Sequence, residues 1–122
     1  MIITEPRWKR YIVETNKPIF TSKLCKEIID LSTTLEKEQG KIGGDEVVDT
    51  RGKKLRQSTI CWIDFNKMQP VYDDIDNLIQ KINRNNFGFN DIQITERAQF
   101  AEYFKGQFYE WHTDNTIDMD KE

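Results

Sequence analysis

From Gln69 to Asn83 the apolar residues Val71, Ile75, Leu78, Ile79 and Ile82 fall on one stripe of a helix, with Pro70 in the first turn, where its missing N–H is tolerated. A second stripe, Leu24, Ile28, Leu31 and Leu35, begins after Thr21 and Ser22, either of which can cap a helix. Phe20 stands before that cap, and Gly40 supplies a C-terminal stop. Two helices with one apolar face each must be covered by something. The rest of the chain supplies runs of strand character.

Residues 8 to 14, Trp-Lys-Arg-Tyr-Ile-Val-Glu, read as a first strand that ends at Asn16 and Pro18. Residues 57 to 65 alternate, with Thr59, Cys61, Ile63 and Phe65 on one side and Ser58, Ile60, Trp62 and Asp64 on the other. Apolar groups on both sides imply a strand covered on both faces. After the second helix come three further runs, Phe87 to Phe89, Ile92 to Tyr103 and Gln107 to His112, the last two joined by a Lys105-Gly106 turn that signals a hairpin. Between Gly40 and Gly52 the pattern dissolves into Gly, Asp and Glu. The basic run Arg51, Lys53, Lys54 and Arg56 follows, so this stretch is expected to be a polar, mobile loop. There is no internal repeat and no low-complexity segment.

A chain of 122 residues, 37% hydrophobic and 32% charged, fits one small domain with a real core. A net charge of -3 gives no field that would recruit nucleic acid, and no apolar run approaches the ~20 residues of a membrane span. Met1-Ile2-Ile3 runs at once into Thr4, Glu5 and Pro6, without the pattern of a secretory leader, so a cytoplasmic location is expected. Cys25 and Cys61 fit no C-x-x-C spacing and read as structural thiols.

The chemistry gathers near residue 112. In an extended segment, residues two apart share a face, so the imidazole of His112 and the carboxylate of Asp114 can converge on one point. Completed by a second imidazole, such a pair makes the facial triad of non-haem iron(II) oxygenases, which leaves positions open for dioxygen and a co-substrate. A bare H-x-D is common by chance. Here it ends the longer string Y-x-x-G-x-x-Y-x-x-H-x-D, formed by Tyr103, Gly106, Tyr109, His112 and Asp114.

That string resembles the signature around the first two iron ligands of prolyl 4-hydroxylases and their short bacterial and viral relatives, which are iron(II)- and 2-oxoglutarate-dependent dioxygenases. The resemblance extends over essentially the whole chain: strand, amphipathic helix, mobile loop with an Arg-x-Ser element, second helix and long strand. It implies an α+β fold, with two amphipathic helices packed on the major sheet of an incomplete double-stranded β-helix, or jelly-roll. It also implies that His112 and Asp114 are metal ligands and that Tyr103 reaches toward 2-oxoglutarate. Arg56 and Ser58, in Arg56-Gln57-Ser58, match the element that approaches the substrate, and Tyr109 and Trp111 lie beside the site. The implied cofactors are Fe(2+), 2-oxoglutarate as co-substrate and ascorbate as a supporting reductant; the substrate would be a peptide or a small molecule. The family couples oxidative decarboxylation of 2-oxoglutarate to hydroxylation.

The chain departs from the family in one respect. The third ligand is a second histidine further along, followed by a basic residue for the distal carboxylate of 2-oxoglutarate, yet His112 is the only histidine. The triad does not close, so the chain reads as the N-terminal part of a single oxygenase domain, inactive by itself, with residues 107 to 112 at an exposed sheet edge. Plainer readings stand beside this one. The aromatic residues can be core, the basic run a solvated loop, and His112 and Asp114 a hydrogen-bonded pair in a non-catalytic β-rich binding or interaction module. A metal hydrolase using the same pair is a further alternative. The acidic stretch Asp114, Asn115, Asp118, Asp120 and Glu122 lacks the Gly at the sixth position of an EF-hand loop.

Overall fold

The structure is a computed structural model and describes residues 11–42, 47–112 and 114. Helix α1 spans Ser22–Ser32 and helix α2 spans Gln69–Ile82. Five short strands accompany them: β1 (Glu38–Gln39), β2 (Arg56–Gln57), β3 (Thr59–Ile63), β4 (Ala98–Glu102) and β5 (Phe108–Tyr109). They form a three-stranded sheet in the order β1-β3-β4 and a two-stranded sheet, β2-β5; the pairs β1–β3 and β2–β5 are antiparallel. The fold is thus mixed helix and sheet, as the alternating periodicities imply. No jelly-roll is formed among the described residues.

The chain divides into two compact units, Met1–Leu35 with Trp62–Gln99 and Glu36–Cys61 with Phe100–Glu122. In the first unit α1 starts where the sequence places it, because the Thr21 hydroxyl accepts the Leu24 N–H at 3.1 Å. It ends at Ser32, well short of Gly40. The hydroxyls of Ser32, Thr33 and Thr34 donate to the carbonyls of Ile29, Asp30 and Leu31 at 2.6, 2.6 and 2.8 Å, engaging the oxygens of the final turn. The apolar stripe of α1 is only half-buried.

Helix α2 runs as its stripe predicts, with Val71 and Tyr72 buried beside Ile63. It then widens into a π turn, Asn83–Phe87, closed by Gly88 at φ 73° with its N–H on the Asn83 carbonyl at 2.8 Å. The buried Asn83 amide clamps Phe89, donating to its carbonyl at 2.7 Å and accepting its N–H at 2.8 Å. These side-chain bonds replace the strand expected over 87–89. Residues 92–97 are likewise outside any strand, and the Gln80 amide donates to the Ile92 carbonyl at 2.8 Å. Of the expected first strand, the described part forms none. Its residues 8–10 lie outside the described residues, and residues 11–14 form no strand, with Tyr11 and Ile12 exposed. Strand propensity without a pairing partner does not make a strand.

In the second unit the stretch expected to be a mobile loop contains an ordered turn; residues 43–46 of it lie outside the described residues. The Asp49 carboxylate accepts the N–H groups of Arg51 and Lys53 at 2.9 Å each, Gly52 takes φ 79°, and Leu55 N–H bonds the Val47 carbonyl at 2.9 Å. The Lys105-Gly106 turn also forms, with Gly106 at φ 86°. The strands on either side of it do not pair as a hairpin, because β4 lies beside β3 in one sheet while β5 joins β2 in the other. Gln107 closes the turn locally, its N–H on the Phe104 carbonyl and its side-chain oxygen on the Phe104 N–H, both at 2.9 Å.

Among the described residues no helix is long and apolar enough to cross a membrane. At ~1.5 Å rise per residue, a helix of 14 residues reaches only about 21 Å. In the first unit the buried Tyr72 uses its hydroxyl twice, donating to the Ile63 carbonyl and accepting the Ala98 N–H at 2.7 Å. Tyr72→Phe strips both partners at once. It is expected to lower unfolding free energy by about 1–3 kcal/mol, measured by urea titration.

Candidate functional site

The residues that the sequence singles out lie in the second unit, and the β2–β5 pairing brings most of them together. Arg56 stands opposite Tyr109 and Gln57 opposite Phe108, and the ladder continues one step further through Glu110 N–H on the Leu55 carbonyl at 2.9 Å. His112 follows just beyond this paired stretch. Its ring stacks on Tyr109, with centroids 3.6 Å apart and planes at 11°.

The two ring nitrogens of His112 face different partners. Nδ1 lies 2.7 Å from the backbone carbonyl of Glu110, an oxygen that can only accept, so Nδ1 carries the hydrogen. Nε2 lies 3.3 Å from Oδ1 of Asp114. The imidazole and the carboxylate therefore face one another, although His112 lies beyond the end of β5 and Trp111 and Asp114 are in bends rather than in a strand. With the Nδ1 proton committed to Glu110, the lone pair of Nε2 points toward a second acceptor. Only a cation between them, a proton or a metal ion, relieves that opposition.

As a donor set, one imidazole nitrogen and one carboxylate oxygen fit a divalent ion such as iron(II), and they also fit zinc or manganese. They are two ligands, not three. Among the described residues no group of three or more His, Cys, Asp or Glu side chains is placed to hold a metal. The Asp114 side chain is almost fully exposed, which leaves space for further ligands.

Behind Tyr109 lies Arg56. Its guanidinium carbon is 4.6 Å from the Tyr109 ring centroid. The residue is only 6% exposed, its Nε donating to Ser58 Oγ at 2.9 Å and one terminal nitrogen to the Lys41 carbonyl at 2.8 Å. The expectation that Arg56 belongs to a solvated basic run does not describe it, because this side chain is inside. Ser58 is buried as well, and accepts from Arg56. Both are close to Gly40, whose N–H bonds the Ser58 carbonyl at 2.9 Å.

Tyr103 and Trp111 stand apart. Tyr103 lies just past the end of β4 with nearly half its surface exposed, and Trp111, between Glu110 and His112, is fully exposed. Three contributors to the site escaped sequence reasoning. Glu110 orients His112 through its carbonyl, while its carboxylate lies 3.7 Å from Lys53 Nζ. Lys41 supplies a carbonyl to Arg56, and Gly40 supplies space. Glu110 acts on His112 through a backbone carbonyl, which no side-chain pattern in the sequence marks.

No protein-family model, no curated protein and no solved structure matches this chain.

A Cβ at Gly40 would meet Arg56 Nε at 2.6 Å and Cζ at 2.8 Å, and would collide with Ser58 Oγ. Because the atoms it meets are buried and hydrogen-bonded, they have little freedom to move aside. Gly40→Ala is expected to cost about 1–3 kcal/mol of stability, measured by denaturant titration. The same substitution at Gly52, which has nothing within 4 Å, should cost only about 1 kcal/mol or so through its positive φ.

Proposed function

We propose that the chain carries the first two metal ligands, His112 and Asp114, of an iron(II)- and 2-oxoglutarate-dependent dioxygenase of the prolyl 4-hydroxylase kind. The observation that carries this reading is the 3.3 Å approach of His112 Nε2 to Asp114 Oδ1 with Nδ1 already bonded to Glu110. A neutral imidazole with its proton on the far nitrogen is the form that binds a metal, and a backbone carbonyl holding that proton is a common way to fix it. The string from Tyr103 to Asp114 supports the same assignment.

In this reading the two small antiparallel sheets are portions of a double-stranded β-helix, and the chain crosses from one to the other at Lys105-Gly106 just ahead of the ligands. When bound, iron(II) and 2-oxoglutarate supply the oxidising chemistry, and ascorbate supports the metal's ferrous state. The chain's own residues hold the imidazole by Glu110 and Tyr109 and present the carboxylate beside it. Tyr103 is assigned to the 2-oxoglutarate side of the site, and Trp111, with its exposed ring, to the side where a peptide or small-molecule substrate enters. His112 is the only histidine, so these 122 residues do not supply the second imidazole of the triad. By themselves they are expected to bind metal without turning over 2-oxoglutarate.

A second reading uses the same distance. With a proton instead of a metal between Nε2 and Oδ1, the pair is an exposed hydrogen-bonded ion pair in a non-catalytic β-rich interaction module. Calorimetric titration of anaerobic iron(II), or of manganese(II), distinguishes them. Wild type is expected to bind one ion, and His112→Ala and Asp114→Ala should each weaken binding by at least about tenfold, ~1.4 kcal/mol. Equal binding by all three chains, or none by wild type, excludes the metal assignment and leaves the ion pair.

A further inference from the structure

We infer that Arg56 and Tyr109 are positioning residues for the His112 imidazole, acting as a stacked bracket that carries order from the buried part of the unit to an exposed ligand. This rests on the metal reading for its functional consequence, but its geometry stands without a metal. His112 and Asp114 are both exposed, so burial does not fix the imidazole. What holds it is a hydrogen bond to the Glu110 carbonyl, the face of Tyr109 and the approach to Asp114, whose own side chain is almost fully exposed. A hydrogen bond at one nitrogen leaves the ring free to swing about that bond; a parallel ring at 3.6 Å removes the swing. Tyr109 in turn is held by its cross-strand partner, since Arg56 both pairs with it in the β2–β5 ladder and places its guanidinium over the ring.

The guanidinium cannot drift, because Ser58 and the Lys41 carbonyl hold two of its nitrogens and Gly40 leaves no spare room against it. A planar, delocalised cation is needed for this, with one face for stacking and edges for hydrogen bonds. A lysine keeps the charge but offers neither plane nor fork. The assignment departs from a substrate-contacting role for Arg56, because a side chain buried to this degree and bonded on its edges is not presented to a substrate.

His112 is the only histidine, so its ring protons are read without ambiguity by NMR. In wild type they are expected upfield of free imidazole through the ring current of Tyr109, with cross-peaks linking His112 to Tyr109 and Tyr109 to Arg56. Tyr109→Phe should keep the shift, and Tyr109→Leu should abolish it. Arg56→Lys should move it toward the free value while circular dichroism stays unchanged. Manganese(II) affinity by calorimetry should fall about ten- to a hundredfold in Arg56→Lys and Tyr109→Leu and be retained in Tyr109→Phe.

Ring protons at free-imidazole positions in wild type, or unmoved by Arg56→Lys, overturn the inference. Should Arg56→Lys fail to fold, the wild-type cross-peaks and the Phe/Leu pair at 109 decide. The two readings fail separately. Shifts that behave as expected without manganese binding remove the metal and keep the bracket, whereas binding that is indifferent to Arg56→Lys keeps the metal and removes the bracket.

Discussion

A charged guanidinium that is 6% exposed governs the local order of the second unit. Arginine does not shed its proton to escape burial, so its desolvation, several kcal/mol for an isolated ion, has to be offset by hydrogen bonds and by a polarisable face. Arg56 finds these in Ser58, in the Lys41 carbonyl and in the Tyr109 ring. Each partner belongs to a different short piece of chain: Lys41 follows β1, Ser58 links β2 to β3, and Tyr109 ends β5. Strands of two residues are marginal on their backbone bonds alone. The requirement to satisfy one buried cation is what fixes them relative to one another within this unit.

The arrangement also explains why a glycine is needed at position 40, although not for backbone freedom. The sequence suggests a helix stop there, since glycine commonly ends helices in the left-handed conformation. In the fold α1 has already ended at Ser32, and Gly40 is required because the Arg56 side chain and Ser58 hydroxyl occupy the space that a methyl group would take. The residue type was informative and the reason inferred from it was not. Only the long-range pairing of Gly40 with Ser58 exposes the difference.

Legibility elsewhere follows the same division. Helix α2 could be read to within a residue at either end, because an amphipathic stripe and a first-turn proline are local signals. The start of α1 was equally local, since Thr21 caps it through its own side chain. Its end was decided by three consecutive hydroxyls bonding back to the helix, a competition that periodicity does not register. The central strand was legible from alternation over Thr59–Ile63, but Gln57 pairs in the other sheet and Phe65 opens a 3-10 turn, whereas 87–89 and 92–97 carry strand-forming residues whose backbone groups are partly taken by Asn83 and Gln80. The Lys105-Gly106 turn was legible and its hairpin was not, because turn residues specify a reversal without naming the strand to be joined. At the site, the closeness of His112 and Asp114 was legible from their spacing although the strand expected through His112 stops at Tyr109, while the roles of the Glu110 carbonyl and Arg56 depended on tertiary placement.

The exposed position of His112 sharpens what these contacts have to accomplish. A metal ligand in a closed core is held on every side by packing, so no single neighbour is decisive. Here one face of the imidazole lies on Tyr109, one nitrogen on a backbone oxygen and the other toward a carboxylate that is itself almost fully exposed. Ordering a side chain in such a place means forfeiting rotamer freedom against only partial burial, some of it against Tyr109. Tyrosine suits the supporting role because its broad ring is ordered at the expense of only two rotatable bonds, and its own order derives from the strand pairing and the guanidinium behind it. The order available to His112 is therefore borrowed from the buried cation. A loss at Arg56 would reach His112 through the ring between them before it altered any bond that His112 makes itself.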